Sequence, residues 1–383
     1  MPPMHSSRHI HVPTEIIVQI VSYVAGGELE RQKTLYACCL VSRQWYSAAI
    51  AFLYERPRVD SGISFQRFTE TISPPIGVRK NKLNLGSFVH RLNLSHLVHH
   101  SSNSLTARLL GRIKENLEIF IAPTLTFSIN SLPALSKCTN LRHLDLELVH
   151  EAIPFPALKQ AISRMPKLVA LKLPQSTILT DPESSQSTWP PTLTRLQISG
   201  RFNPLLIPTF SWPPSLTSLS LKNCSELSLS NLSSLLSSPH LGEKLTRLTI
   251  SGANRGLTPD SINAIPAFLP NLIILSVPGD MVEDSFFIIL CHMFPPLGLE
   301  VLEFGLPCVD LKVNFTTKTL LGALDTGLPS LRSIGFAEEL VTDQRLEEDE
   351  EIDEVLQARN ERRPAQAGAE SRDDEEEIGV YYT

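Results

Sequence analysis

Apolar residues recur at helical spacing near the start of the chain and at strand-like spacing through most of the rest. Ile16, Ile17, Ile20, Val21 and Val24 fit a helix period. Pro13 suits the first turn, where its missing N–H is not needed, and Glu15 follows where the helix dipole favours a carboxylate. Gly26 and Gly27 end this helix, and a polar link runs to Lys33. A second apolar cluster covers Leu35–Val41. Ser42 can cap a third helix that carries Trp45, Tyr46, Ala49 and Phe52. A short helix is expected at Phe65–Ile72, stopped by Pro74 and Pro75, with a basic Arg79-Lys80-x-Lys82 after it.

Further on the period changes. Trp189-Pro-Pro-Thr-Leu-Thr-Arg-Leu-Gln-Ile198 is echoed by Trp212-Pro-Pro-Ser-Leu-Thr-Ser-Leu-Ser-Leu221. The shared core is apolar-x-x-apolar-x-apolar. It recurs with first positions at Val89, Leu117, Leu141, Leu168, Leu193, Leu216, Leu245, Leu272, Leu299 and Leu331, unevenly spaced but in the size range of short structural repeats. Each unit predicts one short strand whose fourth and sixth positions point inward and whose third and fifth point outward. A lone strand cannot bury its leucines, but stacked neighbours make a continuous core. Helix-like spacing fills several returns, as in Leu105–Ile113 and Leu229–Leu236.

These two patterns resemble two known families. Val12-Pro13-x-Glu15-Ile16, a helix, then Cys39-x-Val41-Ser42-x-x-Trp45-Tyr46 and Leu53-Tyr54 look like an F-box. Val12 stands where that family usually has leucine. The resemblance covers about an eighth of the chain. It implies docking on the Skp-type adaptor of a cullin–RING ubiquitin ligase, with Pro13, Ile16, Ile20, Leu40, Val41 and Trp45 as contacts. The piece is also too small to bury its own apolar residues, and the adjacent Cys38 and Cys39 cannot staple it, so a partner is the economical expectation. The ten cores resemble leucine-rich repeats in a degenerate form, and Lys222-Asn223-Cys224 supplies the asparagine or cysteine of that pattern.

The expected fold is α/β, in five parts. A disordered N-terminus covers 1–11, an F-box-like helical domain 12–57, and a linker or cap 58–88. A leucine-rich-repeat solenoid, horseshoe-shaped in that family, covers 89–339, and a disordered acidic tail 340–383.

Composition sharpens this in three places. Ala337–Thr383 holds 17 acidic and 5 basic residues, so the tail carries −12 and the body +6 of a net −6. Such a tail reads as disordered, with a frayed helix over Asp343–Arg359. The body is too weakly basic for a nucleic-acid surface. Met1–His11 lacks the apolar run of a signal peptide, and no stretch reaches the ~20 apolar residues of a membrane span. The cytoplasm or nucleus, with six free cysteines, is the expected setting.

Outward strand positions supply candidate target contacts: Arg91, His143, Asp145, Lys172, Arg195, Gln197, Lys222 and Arg247. No nucleophile elbow or phosphate loop occurs, and His96-x-x-His99-His100 lacks a cysteine partner, so it reads as a polar loop. The expectation is a non-catalytic receptor subunit without metal or cofactor. It would bind a Skp-type adaptor, through it a cullin, and an unidentified protein target. The alternative is a repeat scaffold whose N-terminal helices only cap the solenoid.

Overall fold

The structure is a computed structural model. It describes residues 12–27, 30–74, 83–97, 103–179, 187–202, 210–224, 227–254, 256–341, 343–361 and 378–383. The N-terminal 1–11, the Arg79-Lys80-x-Lys82 stretch, His99, His100 and the acidic run Asp373–Glu377 lie outside them. The chain divides into two compact units, Met1–Leu144 and Asp145–Thr383.

The first unit opens with α1 (Thr14–Gly26), α2 (Arg31–Val41) and α3 (Arg43–Glu55). Pro13 is the N-cap, one position earlier than its sequence role suggested, and its carbonyl accepts the Ile17 N–H at 3.2 Å. Helix α2 begins at Arg31, inside the expected polar link. Arg31 explains why: its guanidinium donates to the carbonyls of Ala25 (2.9 Å), Phe52 (2.8 Å) and Arg56 (3.3 Å) and lies 3.6 Å from Glu55. One side chain therefore fixes the end of α1 and the end of α3 onto the start of α2. Burial holds its pKa below the usual guanidinium value, against the opposing pull of Glu55. Ser42 caps α3 by accepting the Trp45 N–H at 3.3 Å, as its sequence predicts. The three helices bury Ile17, Val21, Leu35, Ala49, Ile50 and Leu53 between them.

Helix α4 (Gly62–Ile72) is the expected short helix, lengthened by a capping box from Ser61 and Ser64, and it buries Phe65 and Ile72. The linker then delivers β1 (Arg91–Asn93), α5 (Asn103–Ile113), β2 (Ile119–Ile121), α6 (Leu132–Leu135) and β3 (His143–Asp145), whose last residue begins the second unit. The His90 N–H donates to the Glu55 carbonyl at 3.0 Å, which joins α3 to the first strand.

The second unit runs α7 (Phe155–Ile162), β4 (Ala170–Lys172), β5 (Ile178–Leu179), β6 (Arg195–Phe202), β7 (Ser218–Cys224), α8 (Leu229–Leu236), α9 (Pro239–Lys244) and β8 (Arg247–Ser251). It continues with α10 (Pro259–Asn263), α11 (Ile265–Phe268), β9 (Ile274–Pro278), α12 (Asp284–His292), β10 (Val301–Gly305), α13 (Thr317–Thr326), β11 (Ser333–Phe336), α14 (Asp343–Glu361) and β12 (Gly379–Tyr382). Apart from the short β5, which pairs β6, the strands from β4 to β12 pair in chain order, and every pairing is parallel.

All ten expected strands are present. Leu171, Leu196, Leu219, Leu248, Leu275, Leu302 and Ile334 form one inward row in direct register, each at most 2% exposed. In-register stacking is the only way units this short remove their leucines from water. Behind the sheet the returns differ. The Trp-Pro-Pro units build an aromatic cluster of Phe155, Trp189, Phe210 and Trp212, and the Trp189 indole donates to the Ser211 carbonyl at 2.6 Å.

Polar side chains close the strand ends. Asn254 accepts the Cys224 N–H at 2.7 Å, and Asn223, in the left-handed region (φ 53°), accepts the Ala253 N–H at 2.9 Å. Asp280 does the same one repeat later, accepting from Cys308, Val309 and Asp310. A buried turn leaves backbone donors that water cannot reach, so side-chain acceptors must meet them.

The acidic tail is a correction to the sequence reading. Expected to be disordered with a frayed helix over Asp343–Arg359, it holds a continuous helix at 343–361, and 379–382 is the last strand of the sheet. Ile352 and Leu356, one helical turn apart, are fully buried, which anchors an otherwise charged helix.

Candidate functional site

Helix α1 carries two apolar stripes. Ile17 and Val21 face inward, while Ile16, Ile20 and Tyr23 share a stripe beside theirs and are exposed. At the end of α2, Leu40 and Val41 are 69% and 64% exposed. Pro13 is exposed and Trp45, in the first turn of α3, is half-buried. Gln44 at the start of α3 donates to the Val12 carbonyl (3.1 Å) and to the Thr14 hydroxyl (2.8 Å). That bond holds the start of α1, with Pro13, to the start of α3, with Trp45. The six residues expected to meet an adaptor therefore sit on outer surfaces or at the rim of a three-helix domain whose own core is already filled. Single exposed apolar residues are ordinary on any surface, whereas Ile16, Ile20 and Tyr23 stand together along one stripe.

The second set of candidates lies on the outward strand positions. Arg91 is exposed and His143 half-buried, both in the first unit. The others belong to the second unit and sort into two groups. Lys172 reaches Asp145 at 3.0 Å and Glu147 at 3.8 Å, and Lys222 reaches Glu147 at 2.7 Å. Burial alone would raise the Glu147 pKa. Hydrogen bonds from Lys222 and Gln197 and the charges of Lys222 and Lys172 outweigh that and hold it below the usual carboxylate range. Glu147 is thus the hub of a charge network that joins Asp145, Lys172, Gln197 and Lys222. It is absent from the candidates read from sequence, because the lysines that reach it stand on other repeats.

The second group is cationic. Arg195 and Arg247 are exposed and flank Ser218 in one cross-strand row. Strand spacing puts their backbones about 10 Å apart. Neither has a carboxylate within 4 Å among the described residues. The next outward row reads Lys172, Gln197, Ser220, Thr249, Ser276, Glu303, Gly335 and Tyr381. Of the basic candidates on this unit, Lys172 and Lys222 are therefore paired from within, and Arg195 and Arg247 are not, among the described residues. No group of three or more His, Cys, Asp or Glu residues could hold a metal ion among the described residues, and no helix there is long and apolar enough to cross a membrane.

The F-box-like family matches residues 10–60. The chain is 33% identical over 291 residues to the F-box protein YDR306C of Saccharomyces cerevisiae, a match covering 72% of this chain and 59% of that protein. It is 25% identical over 331 residues to protein pof5 of Schizosaccharomyces pombe, covering 85% and 90% respectively. Among solved structures it is similar to the yeast complex of Rad7 and Elc1 (15% identity, TM-score 0.44, 87% of this chain and 86% of that one). It is also similar to an internalin of Listeria monocytogenes (14% identity, TM-score 0.39, 87% and 88%). The chain carries an F-box-like domain followed by a leucine-rich-repeat-like parallel solenoid, and it is related to F-box proteins. It spans less than two thirds of the length of the Saccharomyces relative.

Proposed function

We propose that the protein is the target-recognition subunit of a cullin–RING ubiquitin ligase. Its F-box-like helices bind a Skp-type adaptor, and through it a cullin, by the surface of Pro13, Ile16, Ile20, Leu40, Val41 and Trp45. Its repeats hold a target protein. The observation that carries this reading is the outer apolar stripe of a domain of the F-box-like type. The reading assigns no chemical step to this chain. Its contribution is proximity: a held target meets the ubiquitin-charged enzyme at high effective concentration. Such an assembly works in the cytoplasm or nucleus.

Co-purification with a Skp-type adaptor tests the proposal. Trp45→Ala combined with Ile16→Asp removes an aromatic anchor and puts a charge on the outer stripe. An aromatic anchor alone is worth at least about 2 kcal/mol, so adaptor capture should be lost while the melting temperature holds. Undiminished capture by this double variant would overturn the assigned surface. A second reading has its own observation: the bond from His90 to Glu55 ties α3 to the first strand, as a cap would be tied.

A further inference from the structure

The sheet ends on a strand unlike its neighbours. The inward residues of β6 to β11 are buried to within 2%. In β12 the same register positions are Val380, half-buried, and Tyr382, 42% exposed. Strand β12 therefore inserts no fully buried apolar side chain into the core. Polar contacts hold it instead. The Gly379 N–H donates to Arg332 O (3.1 Å), the Thr383 N–H to Phe336 O (2.9 Å), and the Val380 N–H to Asp353 Oδ1 (2.8 Å). A strand with few buried apolar contacts opens locally at low cost.

What it covers is shaped for it. Gly335 occupies an outward position of β11, where earlier strands carry Lys, Gln, Ser, Thr or Glu. A Cβ at Gly335 would lie 2.8 Å from Cζ of Tyr381, so the Tyr381 ring rests on the bare backbone. Glycine within a strand marks a place where another group approaches closely. Past the glycine, the Tyr381 hydroxyl donates to Glu303 Oε1 on β10 at 2.8 Å. A strand edge, a flat slot and a carboxylate acceptor together specify an extended segment with a tyrosine at one position.

We propose that the edge of β11, the Gly335 slot and Glu303 form a peptide-docking groove, which the chain's own residues 379–383 fill. Its external ligand is an extended target segment that lays a tyrosine over Gly335 and donates to Glu303, displacing the resident strand. This names a target class for the repeats and rests on the proposed receptor role. Strand addition supplies backbone hydrogen bonds, and the slot supplies selectivity.

The probe is a fluorescein-labelled nonapeptide of residues 375–383, Glu-Glu-Glu-Ile-Gly-Val-Tyr-Tyr-Thr. The chain ending at Ile378 should bind it. The full chain should bind it at least ~10-fold more weakly, because its own segment competes. Phenylalanine at the first tyrosine of the probe should cost at least ~10-fold, the usual loss for a hydrogen bond to a charged group. In the full chain, amides of 380–383 should exchange hydrogen faster than those of β10 and β11. Gly335→Val should speed that exchange further without lowering the melting temperature. The groove is refuted if the shortened chain melts normally yet ignores the peptide. It is equally refuted if 380–383 exchange only together with β10 and β11, a result open to the full chain alone should the shortened one not fold. No adaptor is present in these assays, so they fail or succeed independently of the adaptor-capture test.

Discussion

Arg31 and Glu147 each hold together pieces of chain that the sequence separates. Arg31 gathers three backbone carbonyls from the ends of α1 and α3. Arg31→Ala would leave the part-buried carbonyls of Ala25 and Phe52 without this donor, and a loss of about 1–3 kcal/mol in the helical domain is expected by chemical denaturation. Glu147 works through its charge. Its folded pKa lies below its unfolded value of about 4.3, so the stability it adds is present above that pH. That stability is lost as pH falls through the folded pKa. Melting temperature should therefore drop below about pH 4.3, and less steeply in Glu147→Gln than in the natural chain. Neither role could be read from sequence. Arg31 sits in what looks like a polar link, and the two lysines on Glu147 stand on β4 and β7, in other repeats.

Among the elements, legibility followed how local the cause was. The ten strands were readable because each carries its own inward pair of apolar residues, such as Leu248 and Ile250 on β8. Helix α3 was readable because Ser42 caps it through a contact close by in the chain. Helix α1 was found, but its spacing could not say which stripe is core. Ile16 and Ile17 are neighbours about 100° apart around the helix, yet only Ile17 is buried, a choice made by the packing of α2 and α3. Strand β12 was missed for a different reason, and α14 was read only as a frayed helix in a disordered tail. Acidic composition outweighed Ile352 and Leu356 in α14, and β12 is too short to carry a repeat core of its own. Only the uncovered edge of β11 gives it a place.

For the whole molecule, removing the first helices tests how far their loss is felt along the chain. The F-box-like helices share their unit with β1 and β2, through contacts such as His90 to Glu55. Calorimetry of the chain lacking residues 1–57 should show the first unit destabilised and the second unchanged. A uniform loss across both units would favour the capping alternative over an adaptor-binding module. The outward contacts were only partly legible at this scale. The row of Arg195 and Arg247 follows from the repeat period, whereas the neutralisation of Lys172 and Lys222 depends on side-chain reach across repeats.

The inward leucine row has a consequence for how such a chain tolerates insertions and deletions. From Leu171 to Ile334 the inward row stays in direct register, with one bulge beyond it where β6 meets β7 at Ser199 and Gly200, although the stretches of chain between successive units differ in length. One residue added inside a strand would swing every following side chain to the wrong face. The same residue added behind the sheet only lengthens an arc. Spacer length is thus the free variable of this architecture, and new surface features can be grafted there while the leucine ladder stays untouched.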